Sequence, residues 1–398
     1  MISEGLQAGF RKELAAIANW WIANTPDYDK GGFIGEITVE NEPRPLANKG
    51  IILNSRILWF FSEAANFLDD SNCREAATRA WQYIQKNFVD EEYGGVFWEL
   101  SADGSVVNTR KQIYAQAFAI YGLSRYYGLT QDIEALELAV SLFELIEAKA
   151  HDGVNKGYIE AFAGDWGPLD DFRLSEKDLN SPKSMNTHLH ILEAYTALYD
   201  VTKNIEVEAA IKRCIDYFDT FIINKDSYHL RMFQSMEWED LSTSISYGHD
   251  IECSWLLWEA LEVIGDKNLL QSHRETVVRL AETCLQEAVG PHHEVLDAYN
   301  FKTATLCEER VWWVQAEALV GFLNAWHMTS EQKYFNAAKK VWEFIQQYQI
   351  DSENGEWHWL SVLDKPHVGD CKVGFWKAPY HNGRAMMEAY KLLAKTKQ

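Results

Sequence analysis

Cationic residues are in short supply in this chain of 398 residues: 37 Lys and Arg stand against 59 Asp and Glu, for a net charge of −22. Such a surface repels phosphate backbones and anionic lipid, which excludes nucleic acid and membrane as expected partners. Long apolar runs are also lacking, and the start, Met1-Ile-Ser-Glu-Gly-Leu-Gln7, carries no basic flank followed by an apolar core. Neither a membrane span nor an export signal is expected, and the reading is cytoplasmic. The six cysteines (Cys73, Cys214, Cys253, Cys284, Cys307, Cys371) are scattered with no C-x-x-C pair, which argues against a disulfide framework and for reduced, buried thiols. Eight prolines and no low-complexity linker mark no boundary, so residues 1–398 read as a single domain. Gly-rich phosphate loops, a serine nucleophile elbow and a Cys/His nucleophile pattern are absent from the sequence, and no cofactor is expected.

What is abundant is apolar and aromatic. Hydrophobic residues make up 47% of the chain, enough for a large core, and 16 Trp and 18 Tyr supply rings that fill space and also stack on the apolar faces of sugars. Leu6, Phe10, Leu14, Ile17 and Trp21 recur at helical spacing, as do Leu136, Val140, Phe143 and Ile146. Between such helices lie Gly/Asp/aromatic segments that read as turns or short hairpins: Asp29–Phe33, Glu92–Trp98, Asn155–Tyr158 and Glu353–Trp357. Gly32, Gly95 and Gly157 mark a period of about sixty-odd residues, with Gly355 a later copy and weaker ones near Tyr228 and Glu294. Six helical hairpins with decorated connections closing into a ring is the simplest solution: an all-α, single (α/α)6 barrel with short β-hairpin or loop connections around a central pocket.

Polar groups interrupt these apolar helices at five places. Arg56 breaks a run that includes Ile51, Ile52, Leu53, Phe60 and Phe61, and is either a solvated face residue or a buried cation awaiting an oxyanion. Asn186, His190 and Glu193 are spaced to share a helix face, whereas His188 diverges from His190; the central His190 is either a ligand contact or a hydrogen-bonded core residue. His249 and Glu252 stand one turn apart, so that the carboxylate can hold the imidazole's tautomer, and His381 follows in the Gly- and Pro-punctuated run Val373–Arg384 beside Trp376. Two histidines on separate elements suggest an acid/base pair. Trp313 and Glu317, an i,i+4 pair, suggest a sugar platform with a hydroxyl acceptor. No metal is expected, because the His188/His190 and His249/Glu252 pairs lack matching geometry and no third motif completes a ligand set.

The segments NSRILWF (54–60), KSMNTHLHILEAYT (183–196), SYGHDIE (246–252), RVWWVQAEA (310–318) and KAPYHNGR (377–384) together resemble the N-acylglucosamine 2-epimerase superfamily, over nearly the full chain. The resemblance implies an (α/α)6 barrel and an isomerase that epimerises C2 of the reducing-end sugar in a β-1,4-linked disaccharide, without cofactor or metal. It further implies His249 and His381 as the acid/base pair with Glu252 supporting His249; Arg56, Tyr114, Asn186 and His190 on the reacting sugar's oxygens; Trp313 and Trp376 stacking on it; and Glu317 at the substrate. The expected partner is a small disaccharide, and the expected assembly a monomer or weak homodimer. Three alternatives stay open: an aldose–ketose (mannose) isomerase with the same enediolate, a hydrolase or lyase on the same barrel, for which Glu252, Glu308 and Glu317 supply carboxylates, and a sugar-binding protein without catalysis.

Overall fold

Five stretches of this sequence are apolar on nearly every face of a helix, and a helix of that kind must be surrounded by others. The computed structural model describes residues 2–364 and 367–395. Among them are twelve α-helices: α1 (Ile2–Asn24), α2 (Ile51–Leu68), α3 (Ser71–Tyr83), α4 (Ile113–Thr130), α5 (Ile133–Lys149), α6 (Met185–Thr202), α7 (Ile205–Tyr217), α8 (Tyr247–Ile264), α9 (Lys267–Glu287), α10 (Trp312–Thr329), α11 (Gln332–Phe344) and α12 (Tyr380–Lys395). The even-numbered helices form the inner ring: α2 packs on α4, α4 on α6, α6 on α8, α8 on α10, α10 on α12, and α12 back on α2. Each odd-numbered helix is amphipathic and covers an inner neighbour from outside, with α1 closing on α12. The expected (α/α)6 barrel is the observed one, and the periodic apolar residues of 6–21 and 136–146 lie on the outer helices α1 and α5.

The two ends of the ring are built differently. Five inner helices stop at a residue in the left-handed region, Asp69, Gln131, Lys203, Gly265 or Ser330, and the outer helix starts two residues later. Asp70, Asp132, Asn204 and Asp266 cap those outer helices by accepting backbone N–H groups with their side chains. A two-residue turn leaves no room for a binding loop. All the long connections therefore lie at the opposite end, where outer helices return to inner ones.

There the sequence repeat takes shape as six copies of one bridge: Pro26↔Phe33, Val89↔Val96, His151↔Tyr158, Ile223↔Leu230, Val289↔Val295 and Ile350↔Trp357. In four copies an aspartate meets a buried lysine two residues before or near the next inner element: Asp27–Lys49, Asp90–Lys111, Asp152–Lys183 and Asp351–Lys372, at 2.5–3.0 Å. In the fifth the pair is Glu294–Arg310. Two- and three-stranded antiparallel sheets, such as Ser244–Ser246 with Ala298–Asn300 and Thr305–Cys307, tie neighbouring connections into a collar around the N-terminal ends of the inner helices. All six cysteines are free, and no described helix is long and apolar enough to cross a membrane.

Candidate active site

The N-terminal ends of the inner helices converge on a cavity of about 500 Å³ inside the collar. Arg56 (α2), Tyr114 (α4), Asn186 and His190 (α6), His249 and Glu252 (α8), Trp313 (α10), and Trp376 and His381 at the start of α12 all line it. Nine of the ten residues singled out in the sequence thus share one chamber. Its mouth is framed by Trp359, Asp370 and the segment Leu174–Asp178 of a long irregular connection, which Gln112 holds through the Arg173 carbonyl at 2.9 Å. The sequence carried no periodic signal for this segment, and it was not anticipated.

Each histidine has one ring nitrogen committed. His381 Nδ1 stands 2.6 Å from Glu317 Oε1, His190 Nδ1 2.8 Å from Glu193 Oε2, and His249 Nδ1 2.8 Å from the Ser246 hydroxyl. A carboxylate only accepts, so His381 and His190 carry the proton on Nδ1 and present a bare Nε2. Ser246, the N-cap of α8, can donate or accept, which leaves the His249 tautomer free to change. Burial drives the His249 pKa down to about 3, with nearby His190 and His381 adding to the effect. Burial brings His381 to about 3 as well, against the upward pull of Glu317. Both imidazoles are neutral at pH 7 and able to accept a proton.

Trp313 lies against both, its ring 4.8 Å from that of His249 and 5.6 Å from that of His381. Gly248 makes this possible, because a Cβ there would meet the indole at about 2.5 Å. The chain on either side of His381 is held by Glu356, a buried carboxylate that accepts from Lys377, Asn382 and Trp21. Arg56 is buried, not solvated: it donates to the Trp376 carbonyl at 2.8 Å and to the Tyr114 hydroxyl at 2.9 Å, its guanidinium over Phe118. Asn186 Oδ1 has no protein donor among the described residues and offers an acceptor inside the cavity wall. His188 points elsewhere, accepting the Tyr158 N–H and bonding the Ser184 carbonyl as a core histidine.

Two expected partnerships are corrected. Glu252 does not back His249, which takes Ser246 instead; the Glu252 carboxyl accepts from Arg384 at 2.8 Å. Glu317 is buried outside the cavity lining, where His381 and Arg384 bond its Oε1 and Trp255 its Oε2, so it supports a histidine and does not face a sugar hydroxyl. Helical spacing names residues on one face but not the side chain that a neighbouring helix brings to them. Arg384, which also reaches Glu193 and Tyr380, is the functional residue missed, though it stands one turn after His381 in the same motif. Glu252, Glu317 and His381 are close enough together to suggest a cation site, but the Arg384 guanidinium already supplies the positive charge there. Glu252 and Glu317 both bond Arg384 Nη2, Glu317 does not line the chamber and Glu308 is exposed on the collar, so these three carboxylates do not form a pair across the chamber of the kind hydrolysis requires.

The family model for N-acylglucosamine 2-epimerase matches residues 32–382. The cellobiose 2-epimerase of Bacteroides fragilis is 42% identical over 389 residues, covering 97% of this chain and 99% of that protein. A solved sugar epimerase from a ruminal bacterium superposes with a TM-score of 0.92 at 37% identity, covering 97% of this chain and 98% of that one. A D-mannose isomerase structure shares the fold at 18% identity, with a TM-score of 0.84.

Proposed function

The chain belongs to the N-acylglucosamine 2-epimerase family, and on that premise we propose that it is a cofactor-independent sugar 2-epimerase. Its substrates are β-1,4-linked disaccharides: it converts the reducing-end glucose of cellobiose to mannose, and lactose to epilactose. The observation that carries this reading is the pair of neutral imidazoles, His249 and His381, set against Trp313 in one chamber.

Epimerisation at C2 starts from the open-chain aldehyde, whose carbonyl makes the adjacent C–H acidic. One imidazole takes the C2 proton through Nε2, the electron pair passes into a C1–C2 double bond, and an enediolate forms. The other imidazole, neutral at the outset, takes a proton from solvent and delivers it to the opposite face of C2, and the first histidine releases its proton to solvent to restore the starting state. His381 is the better base of the two, because Glu317 stabilises the imidazolium as it forms. Arg56 and Tyr114 donate to the oxygens on which charge develops, where aligned donors count most, and the bare Nε2 of His190 accepts from a sugar hydroxyl. Trp313 and Trp376 supply apolar faces for the sugar rings.

Incubation of purified protein with cellobiose, with products resolved by chromatography and NMR, tests this. Glucosyl-mannose is expected, and in heavy water its C2 carries deuterium. A ketose labelled at C1 would assign the isomerase reaction, free glucose would assign hydrolysis, and unchanged sugar with retained binding would leave only a binding protein.

A further inference from the structure

Three carboxyls, those of Glu193, Glu252 and Glu317, meet one guanidinium, Arg384, at the floor of the chamber and beneath it, each side chain 2% exposed or less. Arg56 bonds the Trp376 carbonyl and the Tyr114 hydroxyl instead, so negative charge is in surplus around Arg384. Glu193 is claimed by Arg384, Tyr380 and His190 together, and is held down to about 2 by Arg384 and His190 against the effect of burial. Glu252 and Glu317 place their Oε1 atoms on the same nitrogen, Arg384 Nη2, at 2.8 Å each. Only Glu317 has further donors, His381 and Trp255, while Glu252 lines the chamber.

Resting on the reading above, we propose that Arg384 is a positioning residue whose shared nitrogen keeps Glu317 an ionised support for His381 and leaves Glu252 a neutral carboxylic acid, aimed at the substrate as an oxyanion donor. The directions of the two pKa values agree with this: burial and then the Glu317 charge lift Glu252, whereas Arg384 and His381 outweigh burial at Glu317. A neutral acid costs little to bury and donates a short, strong hydrogen bond to an oxygen that gains charge. With C2 deprotonated by histidine, the Glu252 O–H donates to the enediolate oxygen and the proton remains with Glu252 when the carbonyl reforms. The division also leaves His381 with a full carboxylate behind it, so that two acids on one guanidinium nitrogen take opposite roles.

The test reads the carboxyl directly, by infrared spectroscopy of substrate-free protein at pH 7. Because Glu160 also holds a proton at pH 7, the reading is the difference spectrum of wild type minus variant. A protonated-carboxyl C=O stretch is expected in the difference against Glu252→Gln, and the same band in the difference against Glu317→Gln, where Glu252 has Arg384 Nη2 to itself and ionises. A wild-type minus Glu252→Gln difference that shows only a carboxylate stretch would overturn the proposal, and so would the absence of the Glu252 C=O band from the difference against Glu317→Gln. Since no sugar is present, these results stand whether or not the protein proves to be an epimerase. On the turnover side, Glu252→Leu should lower kcat by about 10²–10³-fold, the scale of one lost oxyanion donor. Glu252→Gln, which keeps an N–H donor but does not titrate, should lose much less and show no alkaline limb that traces to Glu252; equal losses in the two variants would count against donation.

Discussion

His249 and His381 are not equivalent, because one is backed by a serine and the other by a carboxylate. Replacing either by Asn keeps the size and a hydrogen bond but removes the titrating nitrogen, so each variant should lose about 10²–10⁴-fold in kcat/KM with an unchanged circular dichroism spectrum. Near-wild-type turnover in either would remove that residue from proton transfer. Alanine at Trp313 or Trp376 should raise KM for a disaccharide more than it lowers thermal stability, since both rings are half-buried at the chamber wall. A binding isotherm against cellobiose checks this, and unchanged affinity in both would make them core residues only. The histidines, Arg56 and the tryptophans were legible in the sequence because a polar or aromatic side chain in an apolar helical run must face something. Their partners were not: Glu317 reaches His381, and Arg384 reaches Glu252 and Glu317, only where helices from distant parts of the chain come together, and Ser246 takes His249 by a local cap that the Glu252 spacing obscured.

At the level of single elements, the collar is fastened by ion pairs that no periodicity announces. Lys183 is fully buried, donating to Asp152 at 3.0 Å and to the carbonyls of Lys156 and Met236, and so it clamps the strand that leads into α6 and His190. Lys183→Met leaves the Asp152 carboxylate buried without its cation, and should lower the unfolding free energy by about 3–5 kcal/mol in urea titration. A change below the scatter of the measurement would show that the pair is dispensable. Glu160 caps the same helix from a neighbouring connection, accepting the Ser184 N–H and the Thr187 hydroxyl. Burial outweighs those donors and raises its pKa to about 8. The native state therefore holds this proton between the ordinary Glu value of about 4.3 and pH 8 while the unfolded chain has released it, so its contribution to stability falls as pH rises through that window. Relative to Glu160→Gln, the wild type should lose thermal stability steadily from pH 5 to pH 8, and a difference that is flat with pH would assign Glu160 an ordinary pKa. The Gly-turn repeat that bears these devices was visible in sequence only where glycine is required; at Tyr228 the backbone takes φ 58° with a tyrosine, which is why that copy read as weak.

For the molecule as a whole, the ring closure was legible because its repeat length and the chain length agree on six units, whereas the irregular mouth segment Leu174–Asp178 was not, having neither period nor glycine turn. That mouth bears on what the chain of net charge −22 will admit. Among the described residues at the entrance, Glu176, Asp178 and Asp370 stand against one cation, Lys177, so the local sign matches the global one. A neutral disaccharide feels no net force from this field, and its capture is set by diffusion and by contacts within the chamber. A disaccharide with a uronic acid at its non-reducing end is repelled at long range by the whole surface and at short range by the mouth, and salt screens both, with a Debye length of about 30 Å at 0.01 M and about 8 Å at 0.15 M. Steady-state assays across that range should therefore give a flat kcat/KM for cellobiose and a rising one for the uronic acid analogue. A several-fold salt dependence for cellobiose, or none for the charged analogue, would mean that the acidic mouth takes no part in choosing the substrate and that selection rests on the aromatic and histidine chamber alone.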